Sequence, residues 1–318
     1  MCNRWQKEAT TEISMEKIRE VFSSDLFSNV EDVSLHGGEP TLRRDLAEIC
    51  QVIQNACPGL RRMWISTNGL GTGRIEKRVL EILDVLSFGK MEALDINVSL
   101  DGLEETHDRI RGIPGGFKQA TETVRMLRKL SGSHPLKLSI GTVIQPLNLN
   151  ELEALEELAG DLGVPIFFQP LMFDKFFNIG GDPQLTFSEE GMETFKKTIA
   201  GKLAKGSSTT QFYWHDLLCM MNGAERKSPC AFDRYVFSLY PTGEVLPCSR
   251  EEWIVFGNVH DAPADEIWFG QKAKAVRQRM RREVCPRCSF YCGVEFALQK
   301  EFFTYLRFYL KKKIGGNR

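Results

Sequence analysis

The chain has no excess of charge. Its 41 Lys and Arg face 42 Asp and Glu, leaving −1 at neutral pH over 318 residues. A balance this close gives no electrostatic reason to expect nucleic acid as a partner. No apolar run approaches the roughly 20 residues needed to cross a bilayer, so a membrane span is not expected. The opening stretch, Cys2-Asn3-Arg4-Trp5-Gln6-Lys7-Glu8, is polar and charged and lacks the apolar core of an export signal. A reducing, cytoplasmic setting is therefore expected, where clustered thiols more often bind metal than pair with one another. Histidine is scarce: His36, His107, His134, His215 and His260 are the five present, and none shares metal-ligand spacing with another. There is no internal repeat and no low-complexity tract, so solenoid and linker-rich architectures are excluded.

Cysteine, by contrast, is concentrated. Of nine in the chain, five fall near its end: Cys230, Cys248, Cys285, Cys288 and Cys292. Cys230 and Cys248 flank Phe237 to Val245, which has the pattern of a hairpin about Pro241-Thr242-Gly243. Cys285-Pro-Arg-Cys288-Ser-Phe-Tyr-Cys292 follows a helix-length insert. Two short groups separated in this way build a four-thiolate cage for zinc or an iron–sulfur cluster. The alternative is two disulfides with one thiol left over. Cys50, Cys57 and Cys219 lie on or beside apolar helical faces and are expected to be small buried hydrophobes.

Between residues 14 and 190 two periodicities alternate. Apolar residues recur at helical spacing in Leu46, Ile49, Cys50, Ile53; in Ile75, Val79, Ile82, Leu83, Leu86; in Phe117, Ala120, Val124, Leu127; and in Leu152, Leu155, Leu158, Leu162. Short apolar runs between them predict buried strands at Asp32–Leu35, Arg62–Ser66, Leu94–Leu100, Leu136–Ile144 and Val164–Leu171. This alternation is that of an α/β protein with a parallel sheet covered by helices, open or curled into a barrel. The segments following the strands are polar or rich in glycine: His36-Gly37-Gly38-Glu39-Pro40, Ser66-Thr67-Asn68-Gly69, Ser99-Leu100-Asp101-Gly102, Gln145-Pro146 and Gln169-Pro170. Any one of them could be only a turn, but five on one rim predict a single ligand site.

Together these residues resemble the radical S-adenosylmethionine (radical SAM) enzymes with a C-terminal SPASM or shorter twitch domain. Gly37-Gly38-Glu39-Pro40 is similar to the superfamily's GGEP motif, whose backbone and side-chain oxygens hold the methionine ammonium of SAM. Ser99-Leu100-Asp101-Gly102, with His107-Asp108-Arg109-Ile110-Arg111-Gly112, is similar to the fourth-strand segment of SPASM-type members. The resemblance implies a partial parallel (β/α)6 barrel, its first strand missing, joined to a small cysteine-rich twitch/SPASM-like domain. It implies SAM contacts at Gly37, Gly38, Glu39, Pro40, Asn68, Ser99, Arg111 and Gln169. One auxiliary [4Fe–4S] cluster is implied at Cys230, Cys248, Cys285 and Cys288, with Cys292 able to replace one of them, because five thiols are too few for two full cages. The expected domains are residues 1–190 for the barrel, 191–229 for a transition, 230–292 for the cluster module and 293–318 for a terminal helix.

The resemblance further implies that a reduced catalytic [4Fe–4S] cluster breaks SAM into methionine and a 5′-deoxyadenosyl radical, which takes a hydrogen from the substrate. That substrate would be a peptide side chain or a small hydroxylated metabolite, and the electron donor a flavodoxin or ferredoxin. A non-catalytic iron–sulfur or zinc protein is the alternative. One departure bears on the choice. The family's catalytic cluster sits in a C-x3-C-x2-C loop, and Met1-Cys2-Asn3-Arg4-Trp5 is similar only to its end, with Cys2 as the third cysteine. The expectation is a chain truncated within that loop. Reading the gene upstream of Met1 should then reveal, in frame, a strand and two more cysteines, the nearer in Cys-x-x-Cys spacing with Cys2. An upstream sequence without them favours the non-catalytic alternative.

Overall fold

The computed structural model describes residues 12–171, 185–205, 208–248, 250–251, 253–290 and 293–300, together with Phe303, Leu306 and Leu310. The chain divides into two compact units. The first ends at Leu171 and also takes in Pro263–Asp265; the second holds the remainder.

In the first unit strands and helices alternate. They run α1 (Met15–Phe22), β1 (Asp32–Leu35), α2 (Leu46–Ala56), β2 (Arg62–Thr67), α3 (Thr72–Val85), β3 (Leu94–Ser99), α4 (Glu104–Arg111), α5 (Gly116–Leu130), β4 (Leu136–Ile144), α6 (Leu152–Asp161) and β5 (Ile166–Pro170). Among the described residues the sheet has five strands, in the order β1-β2-β3-β4-β5, with every pair parallel. They form a curled half-barrel, as the resemblance implied. Capping is local and legible. Ser14 Oγ accepts from the Lys17 amide at 3.2 Å and so starts α1.

Partners in a parallel ladder share a face, so the register sorts the strands into two surfaces. Val33, Met63, Leu94 and Leu136 form one row on the helix-covered face; Leu35, Ile65, Ile96 and Leu138 form the next, and Thr67, Val98 and Ile140 the third. Met63, Leu94, Val98 and Ile140 are fully buried there, as are Ile75, Ile82, Val124 and Leu127 of the helices. Each such side chain contributes about 1.5–3 kcal/mol by leaving water. The opposite face is mostly polar: Ser34, Trp64, Asp95 and Lys137 in one row, Ser66, Asn97 and Ser139 in the next, and Ser99, Gly141 and Phe167 above, with Trp64 and Phe167 its aromatic members. The strands expected to be buried are apolar on one face only. The reason is curvature: the inner wall of a half-barrel is not packed by helices.

The second unit contains α7 (Glu189–Lys205), α8 (Ser208–Met221), β6 (Ser238–Leu239), β7 (Glu244–Leu246), β8 (Gly257–Asn258), α9 (Ala264–Phe269, less its first two residues), α10 (Gln271–Glu283) and α11 (Val294–Lys300). Three antiparallel strands form a small sheet in the order β6-β7-β8, with the expected hairpin turn at Pro241-Thr242-Gly243. Ser188 caps α7, its Oγ accepting from the Gly191 amide at 3.0 Å. The helix-length insert before Cys285 holds two helices, α9 and α10, because Gly270 is extended (φ −63°, ψ 164°) and breaks the run.

Gly141 is where the inner wall is tightest. A Cβ built there would lie 2.4 Å from Asn97 Oδ1, while Asn97 Nδ2 donates to Ser139 Oγ at 2.9 Å. Gly141→Ala should therefore displace that amide and cost about 1–3 kcal/mol, read as a lower midpoint in urea unfolding. An unchanged midpoint would mean that Asn97 is not held against the wall.

Candidate active site and cysteine cage

The first candidate site is the rim at the C-terminal ends of β1 to β5. Gly37 and Gly38 follow β1 and are exposed. Gly37 takes φ +148°, a conformation that side chains rarely adopt, and a Cβ on either glycine would meet nothing within 4 Å. The backbone here borders open space, as close approach of a ligand requires. Glu39 turns back into the protein. Its Oε1 accepts from Thr41 Oγ1 at 2.6 Å, from Thr67 Oγ1 at 2.9 Å and from the Thr41 amide at 3.2 Å, while Oε2 accepts from the Asn68 amide at 2.7 Å. The carboxylate thus joins the loop after β1 to the end of β2. Asn68 Oδ1 accepts from the Leu70 amide at 2.8 Å, a local turn bond.

Ser99 ends β3, and Gln169 lies on the same inner face in β5, one row above. Arg111 ends α4, where its Nη2 lies 2.6 Å from Asp101 Oδ2. Asp101 is a fully buried hub. Its Oδ1 accepts from the Val143 amide at 2.8 Å, its own amide donates to His107 Nδ1 at 3.1 Å, and its carbonyl accepts from Asn148 Nδ2 at 2.7 Å. Asn148 Oδ1 in turn accepts from the Gln145 amide at 2.9 Å. Glu151 Oε2 accepts from the Leu103 amide at 2.8 Å and so anchors the loop leading into α4. The rim residues named from the sequence thus share one edge. The sequence motifs include Asp101 and His107 without assigning them a role, and they do not include Asn148 or Glu151; all four hold that edge in place.

The second candidate site is in the other unit. Cys248 packs with Ile254 and Met280, and Cys285 borders the same cluster. Burial pushes the Cys248 thiol up, and its neighbours Cys288, Cys230 and Cys285 push it further. Cys285 is pushed up to about 12, mainly by burial and then by Cys230. Cys230 is raised by burial, opposed by the nearby Arg226 charge. Cys230, Cys248, Cys285 and Cys288 are all free thiols, which removes the disulfide alternative for them. No three His, Cys, Asp or Glu among the described residues close around one metal ion. A tetrahedral zinc site draws its sulfurs to about 2.3 Å from a single centre. Cys230, Cys248, Cys285 and Cys288 are electrostatic neighbours, and four thiolates are the donor set of an iron–sulfur cluster as of zinc. Cys2 and Cys292 lie outside the described residues. Cys50 and Cys57 are buried as expected, while Cys219 is partly exposed.

Two loops carry these thiols, and α8 braces both. Asp216 is buried and accepts from the Lys227 amide at 2.9 Å and from the Ser228 amide at 2.7 Å. Tyr213 donates from its hydroxyl to the Ser289 carbonyl at 2.8 Å. The run Tyr213-Trp214-His215-Asp216 is thus a support for the cysteine loops.

The Radical SAM superfamily model matches residues 1–159, and the SPASM iron–sulfur cluster-binding domain model matches residues 230–292. The chain belongs to the radical SAM superfamily. These two domains imply SAM and [4Fe–4S] clusters as cofactors. Among similar proteins, the AdoMet-dependent heme synthase of Methanosarcina barkeri is 26% identical over 80% of this chain and 72% of its own length. The sporulation killing factor maturation protein SkfB of Bacillus subtilis is 22% identical, covering 80% of this chain and 57% of its own. The PqqA peptide cyclase of Gluconobacter oxydans is 26% identical over 74% of this chain and 62% of its own. The chain therefore spans 57% to 72% of the length of these relatives. The fold is shared with the solved structure of native anSMEcpe with bound AdoMet and Cp18Cys peptide. The TM-score is 0.61 at 14% identity, covering 100% of this chain and 94% of that one. Among the described residues no helix is long and apolar enough to cross a membrane.

His107 offers a direct test of the rim. Burial, then the Arg111 charge, lowers its pKa from 6.5 to about 4. The folded state therefore favours neutral His107. That preference is fully present above pH 6.5 and is lost as pH falls toward 4, an effect on the order of 2–3 kcal/mol. The melting temperature should drop between pH 7 and 5, and drop less in His107→Asn, whose side-chain oxygen can still accept from the Asp101 amide. Equal pH dependence in both proteins would refute this role.

Proposed function

We propose that this radical SAM chain modifies a side chain of a peptide or protein substrate, with a single auxiliary [4Fe–4S] cluster held by Cys230, Cys248, Cys285 and Cys288. The observation that carries the reading is the co-occurrence of a glycine-opened rim and four neighbouring thiols with relatives named for peptide maturation. Two of those relatives are a PqqA peptide cyclase and the SkfB maturation protein. The heme synthase relative supports a second reading, a small-molecule substrate.

At the rim, Gly37, Gly38, Glu39, Pro40, Asn68, Ser99, Arg111 and Gln169 are proposed to surround SAM. Glu39 already accepts four hydrogen bonds from Thr41, Thr67 and Asn68. The exposed backbone of Gly37 and Gly38 is therefore the better acceptor for the methionine ammonium, with Glu39 holding the loop in position. Arg111, steadied by Asp101, and Ser99 are the polar groups proposed for the carboxylate or ribose. When bound, SAM and a reduced cluster supply a 5′-deoxyadenosyl radical that removes a substrate hydrogen. The chain's own work is to hold SAM, orient the substrate C–H bond and exclude water. The electron donor is proposed to be a flavodoxin or ferredoxin, and a net oxidation is the proposed outcome.

Anaerobic reconstitution of the full-length protein tests this. About eight irons per chain and formation of 5′-deoxyadenosine from SAM are expected. Replacing Cys230 and Cys248 with Ser should remove about four irons while SAM cleavage persists. About four irons or one zinc in the unmodified protein, without SAM cleavage, would establish the non-catalytic alternative instead. Peptide-dependent gain of cleavage would separate the two substrate readings.

A further inference from the structure

Arg226 is the residue through which the two cysteine loops meet. Its Nε donates to the Ser228 carbonyl at 2.8 Å and its Nη2 to the Pro229 carbonyl at 3.2 Å, both just before Cys230. Its Nη1 donates to the carbonyl of Cys288 at 3.0 Å, and its backbone amide to that of Pro286 at 2.8 Å. One guanidinium thus spans a sequence separation that the backbone does not bridge locally. A planar fork presents Nε, Nη1 and Nη2 to three carbonyls spread around its edge, whereas an ammonium concentrates its three donors at one point. Among the described residues no carboxylate is paired with it, so its charge is not cancelled on the spot. Arg226 is half-buried, where that charge is less screened than at the surface. The Cys230 and Cys285 thiols both feel it.

We infer that Arg226 is a positioning residue of the auxiliary cage that also sets its redox poise, by clamping the Cys230 and Cys288 loops and placing one positive charge beside the thiolates. The inference rests on the proposal that these thiols hold a [4Fe–4S] cluster. Such a cluster with four thiolates is anionic and gains a further negative charge when one electron enters. A neighbouring cation stabilises the reduced form more than the oxidised one and raises the potential. The two roles separate by substitution. Lys keeps the charge but loses the fork; Gln keeps donors but loses the charge.

The experiment is a dithionite titration of full-length Arg226→Lys and Arg226→Gln, following the reduced-cluster EPR signal that Cys248→Ser abolishes. Arg226→Gln should lower the potential enough to change the reduced-to-oxidised ratio about tenfold at a fixed poise, or 59 mV for one electron. Arg226→Lys should stay near the wild-type potential but lose iron to a chelator faster. Equal potentials in all three proteins, or equal shifts in both variants, would overturn the inference. If Arg226→Gln retains no cluster, iron content decides: recovery in Arg226→Lys supports the charge, and equal loss in both refutes it. Wild type without iron at this site overturns the cage itself, and this inference with it.

Discussion

Backbone N–H and C=O groups at the edge of a sheet must find partners, yet the edge that receives a ligand cannot be covered by more secondary structure. The first unit meets this constraint with buried side chains that reach backward into the rim. Asp101 serves the end of β3, the end of β4 and α4 at once, through the Val143 amide, Arg111 and His107. Glu39 does the same between the loop after β1 and the end of β2. These carboxylates spend their lone pairs inward, which leaves the open backbone of Gly37 and Gly38 facing outward. Rigid loops and an accessible edge are thus obtained together. A carboxylate that accepts several N–H or O–H bonds is satisfied without water, so burying it is tolerable.

The cysteine unit applies the same economy to a harder problem. Four thiols brought together in a low-dielectric pocket resist ionisation, and burial raises Cys230, Cys248 and Cys285 alike. Little regular structure is available to hold them, because β6, β7 and β8 are only two or three residues long. Side chains of α8 and Arg226 therefore carry the organisation: Asp216 fixes the turn before Cys230, Tyr213 fixes the strand of chain after Cys288, and Arg226 joins the two. Met280 and Ile254 complete an apolar wall around Cys248. Such a shell lowers the local dielectric, strengthening every remaining electrostatic contact to the sulfurs.

Much of the fold was legible because its signals are periodic. The strand at Leu136–Ile144 and the helices at Leu46–Ala56 and Leu152–Asp161 appear where apolar spacing puts them. The polar inner face was legible too, in the alternation of Leu94-Asp95-Ile96-Asn97-Val98-Ser99, although the run reads at first only as a short apolar, buried strand. The glycine-rich rim and the cysteine spacing were legible as motifs. Asp101, Asn148 and Arg226 were not, because a long-range side-chain-to-backbone bond leaves no periodicity. Asp101 precedes a Gly in what is ordinarily a turn, and Arg226 sits among Glu225 and Lys227 like any solvated charge. Only the return of the chain, which brings the Cys288 carbonyl back to Arg226, separates a clamp from a surface residue.

The inner wall shows how the same alternation is turned to chemistry. Its lower rows are charged: Arg62 pairs with Asp32 at 2.7 Å, Lys137 with Glu92 at 2.9 Å, and Asp95 is held up in pKa chiefly by burial. Above them Ser66, Asn97, Ser139 and Ser99 are neutral, and Gly141 removes a side chain to admit the Asn97 amide. A wall that shifts from charge to neutral hydrogen-bonding groups toward the rim can orient a ligand there without imposing a fixed charge on it. A helix-covered face could not do this, since its rows must stay apolar to be buried. The curl of the sheet, which spares the inner face from packing, is therefore what frees every second strand residue for the site.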